Sequence, residues 1–459
     1  MKIRLEHDTM GEIAVPADRL WGAQTQRSLE NFRIGTEKMP EELIRSVIVI
    51  KKASALANNK LGVLDSRKCR LICRACDELL EGNMGSEFPL SVWQTGSGTQ
   101  SNMNVNEVIS NIINLRENQN ILHPNDDVNK SQSTNDVFPS AMHISAYEAV
   151  RFRLLPAVRQ LEDVFSSLSE RYESVIKTGR THMQDAVPVS LGQEIGAWAF
   201  MLKKDAEMAE SALVPLKELA SGATAAGTGL NAPENFAAEA VRFINEITGG
   251  DFKVSRNLFH ALSSKDELVF AHGALKALAA DLMKIANDVR MLSSGPRSGI
   301  CEITIPENEP GSSIMPGKVN PTQCEALSMV CIQVMANDTA VAFAAGQGHY
   351  QLNAYMPLII YSFLQSVRLL TDAVRSFTEK CASGIKPNYE GIKNNLDKSL
   401  MTVTALNPII GYENSAETAK YAFSEGITLK EAALKLKKLS EEEFDSAMDL
   451  NSMVYKEKK

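Results

Sequence analysis

Apolar residues recur every three or four positions along most of the chain, as in Leu275, Leu278, Leu282, Ile285 and Val289. That spacing marks the buried stripe of an α-helix. Stretches free of internal glycine and proline predict long helices over 157–177, 197–214, 275–294, 322–345 and 358–382. Leu, Ala, Met, Lys and Glu are frequent in them, as helix propensity requires. At 1.5 Å per residue, such helices reach roughly 30 Å or more. The pattern predicts a mainly α fold built on a helical bundle, not a βαβ sheet. Only the opening alternates clearly like a strand. Ile3 and Leu5 face one way, Thr9-Met10-Gly11 can turn the chain, and Ile13-Ala14-Val15 returns as a short hairpin. No apolar stretch reads as long enough to span a bilayer.

Between the helices, Gly, Pro, Asn and Ser cluster near 94–106, 123–139, 178–190, 221–235, 295–323 and 346–357. The segment 295–321 carries Pro296, Pro306, Pro310, Pro316 and Pro321, with Gly295, Gly299, Gly311 and Gly317 among them. No helix survives that, and a loop so long inside a compact domain is usually functional or disordered. Ile303, Ile305, Ile314 and Met315 argue against disorder. Beyond Lys386 the chain turns polar and short-helical. Residues 440–449 read as a helix with Ser440 as cap and Glu443 completing a capping box.

A length of 459 residues suggests about three domains. Apolar residues at 44% and charged residues at 23% are ordinary for a globular protein. The net charge of -8 gives no electrostatic reason to expect nucleic acid or an anionic membrane as partner. An anionic substrate would therefore need positive charge supplied locally. The N-terminal stretch holds Glu6, Asp8, Glu12 and Asp18 without an apolar run, which argues against a signal or transit peptide and for the cytoplasm. Seven cysteines do not read as a disulfide framework. Cys69, Cys73 and Cys76 have the spacing of an iron–sulfur loop, but they fall on one face of a helix expected over 66–80 and read as core. HExxH and paired ExxH spacings are absent, so no metal is expected.

Four polar segments could carry chemistry. Gly311-Ser312-Ser313-Ile314-Met315-Pro316-Gly317-Lys318-Val319-Asn320-Pro321 concentrates two hydroxyls, a cation and an amide on a backbone that Gly and Pro constrain. Lys318 can pair with a carboxylate, Asn320 can donate to it, and free loop amides can bind an anion as a nest. Gln94-Thr95-Gly96-Ser97-Gly98-Thr99-Gln100-Ser101-Asn102 leads into a helix, where an anion is favoured. Ser131-Gln132-Ser133-Thr134-Asn135-Asp136 also opens a helix, and N-capping alone would explain its composition. Gly179-Arg180-Thr181-His182-Met183-Gln184-Asp185 places His182 on a loop between two helices, and histidine is the usual proton carrier at neutral pH.

Together these segments resemble the class II fumarase family, within the aspartase/fumarase superfamily. The resemblance starts at Asp8-Thr9-Met10-Gly11 and Ala17-Asp18-Arg19-Leu20-Trp21-Gly22-Ala23-Gln24-Thr25. It runs through the four loops and Gly227-Thr228-Gly229-Leu230-Asn231, and ends near Leu406-Asn407-Pro408 and Glu443-Phe444-Asp445. The Gly311–Asn320 loop is its most specific part. The resemblance implies three domains, at 1–132, 133–388 and 389–459, the central one a long five-helix bundle. Four copies would merge into a homotetramer with a twenty-helix core and active sites shared between chains. The sequence hints at this independently: loops at 179–188 and 222–231 would sit at opposite ends of a helix following residue 190.

The implied activity is the interconversion of malate and fumarate, a step of the tricarboxylic acid cycle. It would need no cofactor and no metal, and it would engage neither nucleic acid nor membrane. Ser312 resembles the family's base, with Lys318 and the loop amides to stabilise its alkoxide. Lys318 and Asn320 would hold a substrate carboxylate as it takes up charge in an aci-carboxylate. His182 with Glu325 would handle the hydroxyl leaving as water. Ser97, Gly98, Thr99, Ser133, Thr134, Asn135, Thr181 and Ser313 would complete substrate binding. His123, Asn125 and Asp126 resemble a second anion site. Gly317 and Thr322-Gln323-Cys324-Glu325 look like the hydratase version, with an amino-acid ammonia-lyase and a helical structural protein as the alternatives.

Overall fold

A computed structural model describes residues 2–82 and 85–455. It is mainly helical. Long helices span Leu155–Arg171, Leu191–Ala212, Asp266–Leu292, Thr322–Ala345 and Met356–Lys380, with Glu41–Lys60 and Thr99–Glu117 of similar length. The expected stripes therefore appear, with ends shifted by two to nine residues except at Thr322–Ala345. The opening hairpin also forms, Ile3–Asp8 pairing antiparallel with Gly11–Pro16.

The chain forms two compact units. One comprises Met1–Pro156, Glu207–Ala277 and Ile332–Thr371, the other Ala157–Ala206, Leu278–Cys331 and Asp372–Lys459. In the first unit, helix Glu41–Lys60 packs on Ser66–Glu81, Thr134–Ala149 and Phe236–Thr248. Leu43, Val47, Ile48, Phe138 and Met142 are wholly buried there. Cys69 and Cys76 lie buried on the Ser66–Glu81 helix, as their spacing predicts, while Cys73 is only half-buried. In the second unit the edge-on contacts of Phe165 with Trp198 (5.5 Å) and Phe377 (6.5 Å) anchor the core. Its C-terminal end builds a small core of its own around Leu406, Leu429, Ala432 and Phe444. Ser440 and Glu443 make the expected capping box on helix Glu441–Ala447.

Two expectations fail. The opening is not the only strand pair, because Ile176–Thr181 pairs antiparallel with Gln184–Ser190. Gly179 and Pro188 mask the alternation, yet Ile176 pairs with Ser190, Lys177 with Val189 and Thr178 with Pro188 before the register shifts at Gly179. One helix, Thr322–Ala345, is also long and apolar enough to cross a bilayer by length and composition. Glu325 and Asp338 break its apolar run in the sequence, but too sparsely to lower its mean hydropathy. Met329, Ile332 and Phe343 stand exposed along it.

Candidate active site

In the first unit, two helix N-termini build a polar cavity of about 470 Å³. Helix Thr99–Glu117 starts from Gly98, whose φ of 78° suits glycine. A Cβ there would lie 2.2 Å from the Phe138 ring, so only glycine lets the hydroxyl-rich turn approach. Ser97 Oγ and Thr99 Oγ1 are 3.0 Å apart. Thr99 lines the cavity, whereas Ser97 and Gly98 do not.

Helix Thr134–Ala149 opens with a capping box between Ser133 and Asp136. Ser133, Thr134 and Asn135 all line the cavity, with Asn125, Asn129, Thr224 and Asn231. Asp136 is buried, and its carboxylate accepts from the amides of Ser133 (2.9 Å), Gly222 (3.2 Å) and Thr224 (3.1 Å). Burial pushes its pKa up to about 6 against the pull of those amides. Asn135 Nδ2 adds a bond to the Ala225 carbonyl at 2.8 Å. Asp136 and Asn135 thus stitch the 222–231 turn to the helix start. Ser131, Thr224 and Asn231 adopt left-handed φ values of 63°, 54° and 67°. Such strain in non-glycine residues collects at functional sites.

Of the expected second anion site, His123 and Asp126 lie side by side, with Nδ1 and Oδ2 3.4 Å apart. Asn125 lines this cavity, whereas His123 lines a separate cavity of about 660 Å³ beside Lys68 and Asp127. His123 Nδ1 accepts from the Asp126 amide at 3.1 Å, and the Asp126 side chain is exposed.

In the second unit, His182 is not on a loop between helices. It sits with Met183 at the tip of the Ile176–Ser190 hairpin, both at positive φ (56° and 59°). Two-residue turns with both φ positive match strand twist but normally take Asn-Gly. His-Met in that place is locally unfavourable and leaves the imidazole exposed, beside Thr181. Below the tip, Glu302 is wholly buried and binds Arg180 through two bonds of 2.9 and 2.7 Å. Lys177 Nζ lies 3.1 Å from the same carboxylate.

Also in this unit, the proline-rich loop lines a cavity of about 370 Å³ with Ser312, Met315 and Lys318. The Gly311 amide donates to the Lys318 carbonyl (2.8 Å), and Asn320 Nδ2 to the Gly311 carbonyl (2.7 Å). A Cβ on Gly311 would meet the Lys318 oxygen at 2.7 Å, so glycine is required for this closure. Ser312 Oγ accepts from the amides of Ile314 (3.3 Å) and Met315 (3.1 Å). Two amides aimed at one hydroxyl oxygen favour negative charge on it. Ser313 and Lys318 are exposed, and Glu325 lies half-buried in the first turn of Thr322–Ala345.

Sequence reasoning missed Lys51, Asn129 and Thr224. A signal for Lys51 was present: it lies four residues after Val47 on an otherwise apolar helix face.

The family described as "Lyase" matches residues 11–336, and "Fumarase C C-terminus" matches 403–455. The fumarate hydratase class II of Bacillus subtilis is 56% identical over 458 residues, covering 99% of each chain. That of Helicobacter pylori is 55% identical over 460 residues, again with 99% of each covered. A crystal structure of class II fumarase from Schistosoma mansoni superimposes with a TM-score of 0.95 at 41% identity, covering 99% of this chain and all of that one. Matched end to end by these relatives, the chain belongs to the class II fumarate hydratase family.

Proposed function

We infer that the chain is a fumarate hydratase, a hydro-lyase that reversibly adds water to fumarate to give (S)-malate. The observation that carries the mechanism is the Ser312 hydroxyl with two backbone amides directed at its oxygen. Serine is a poor base unless its alkoxide is stabilised, and those amides with Lys318 supply that. In the malate-to-fumarate direction, Ser312 takes the C3 proton. The neighbouring carboxylate becomes an aci-carboxylate held by Lys318 and Asn320, whose preorganised donors act where charge develops. His182 and Glu325 then protonate the departing hydroxyl, and water leaves. Ser97, Gly98, Thr99, Ser133, Thr134, Asn135, Thr181 and Ser313 bind the remaining substrate oxygens.

The same reading includes a three-domain division at 1–132, 133–388 and 389–459, a cytoplasmic enzyme, and a homotetramer whose active sites are shared between chains. The exposed Met329, Ile332 and Phe343 on helix Thr322–Ala345 support assembly, since such apolar surface marks protein contacts. The His182 hairpin and the 222–231 turn lie in sequence on either side of the 22-residue helix Leu191–Ala212, about 33 Å long. In the proposed homotetramer the two would come from different chains.

The test is to incubate chelator-treated protein with L-malate and separately with L-aspartate, following fumarate by its ultraviolet absorbance. Fumarate from malate alone is expected. Fumarate from aspartate alone would reassign the chain to the ammonia-lyases, and full activity in a monomer on sedimentation would end the shared-site reading.

A further inference from the structure

Lys51 lies in the middle of helix Glu41–Lys60 with its side chain fully buried. Its ammonium group donates to Asn129 Oδ1 at 2.8 Å and to Gln132 Oε1 at 3.0 Å. Both partners line the 470 Å³ cavity beside Ser133, Thr134 and Asn135. An ammonium can only donate, so both amides must turn their oxygens toward it. The Asn129 oxygen also accepts from Asn102 and Asn106 at 3.2 Å, while its Nδ2 donates to the Gln132 carbonyl at 3.2 Å. Lys51 therefore orients the floor of the cavity.

The charge is more than the floor needs, since a neutral donor would satisfy the same oxygens. Among the described residues, the hydrogen-bond partners of Lys51 are amide oxygens and none is a carboxylate. Burial pushes its pKa down to about 7, with Asp136 from the Thr134–Ala149 helix and Cys76 from the Ser66–Glu81 helix pulling it back. Asp136 is itself pushed up to about 6 and is engaged by backbone amides, and burial holds Cys76 as the thiol. Lys51 is thus divided between neutral and charged forms near neutral pH. A dianion in the cavity would supply the missing negative charge and favour the ammonium.

Resting on the fumarate hydratase reading, we propose that Lys51 is a positioning residue for a dicarboxylate dianion, which orients Asn129 and Gln132 and takes up a proton from solvent when the dianion binds. The test uses the full chain in its native assembly and succinate, a four-carbon dianion that cannot undergo the elimination. Calorimetric titration in buffers of different ionisation enthalpy counts the protons. The expected uptake is larger at pH 8 than at pH 6, where Lys51 already carries more of its charge. Uptake that grows toward pH 6 and vanishes at pH 8 would assign the proton to Asp136 and overturn the proposal.

In Lys51→Met the uptake at pH 8 should disappear, with KM for malate raised ~10-fold and kcat changed less than ~3-fold. An unchanged KM with unchanged uptake would overturn the proposal. If the variant does not assemble, the uptake by the native protein decides alone. Turnover of malate with no uptake at pH 8 removes the role of Lys51 only. Failure both to bind succinate and to form fumarate removes the parent reading and this proposal with it.

Discussion

Replacing Glu302 with glutamine removes the negative charge that two cations share beneath the His182 hairpin. Glu302 and Lys177 are 0% and 1% exposed, with 3.1 Å between carboxylate and ammonium. Arg180 adds two bonds of 2.9 and 2.7 Å, and Asn395 Nδ2 a third at 3.1 Å. Removing one partner of a buried ion pair costs about 3–5 kcal/mol, because the other charge is left uncompensated. Lys177 keeps Glu194 at 3.1 Å, a partly exposed carboxylate, so the lower end of about 3 kcal/mol applies.

The acid dependence carries a sign. Burial alone would raise the Glu302 pKa, but the Arg180 hydrogen bonds and the charges of Lys177 and Arg180 outweigh it and hold it below the ordinary 4.5. Its stabilisation is therefore present above pH 4.5 and lost as pH falls through the depressed value. Urea unfolding at one protein concentration, near neutrality and again near pH 4, measures both effects. Glu302→Gln should lose about 3 kcal/mol near neutrality, show a flatter acid limb, and turn over more slowly because the hairpin carries Thr181 and His182. A loss under about 1 kcal/mol with an unchanged acid limb would refute the reasoning.

Gly98→Ala places a methyl 2.2 Å from the buried Phe138 ring at a φ of 78°. Strain and overpacking together should cost about 2–5 kcal/mol, visible as a lower Tm, and an unchanged Tm would contradict the contact. Ser312→Ala should slow turnover by roughly 10²–10⁴-fold while sedimentation stays that of the native assembly; near-native turnover would mean another group is the base. Asp205 is buried with neither carboxylate oxygen hydrogen-bonded, and burial with the nearby Asp281 raises its pKa to about 7. Since the folded pKa exceeds the ordinary 3.8, its protonated form favours folding at low pH, and that stability is lost as pH rises toward 7. Asp205→Asn should accordingly raise Tm at pH 8 and leave it nearly unchanged at pH 4; no gain at pH 8 would mean that Asp205 finds a partner.

Much was legible without the fold. Apolar periodicity located five of the long helices, the Cys69–Cys76 face and the Ser440 cap, because each depends on residues within a turn or two of one another. The Pro/Gly-rich loop announced itself by composition, and Gly311 indeed closes it against Lys318. What sequence alone could not reach were contacts between residues far apart along the chain. The His182 hairpin was read as loop because Gly179 and Pro188 look like breakers until strand pairing and the Glu302 ion network, more than a hundred residues away, hold them straight. His123 and Asn125 are two residues apart, yet a tight π-helical turn sends them to different cavities. The burial of Lys51 and its bonds to Asn129 and Gln132, some eighty residues on, arise only from packing. Local pattern determines helices and caps, since their energies are set by near neighbours. Desolvation and the pairing of distant charges are decided only by tertiary structure, because burial is a property of what the rest of the chain brings alongside.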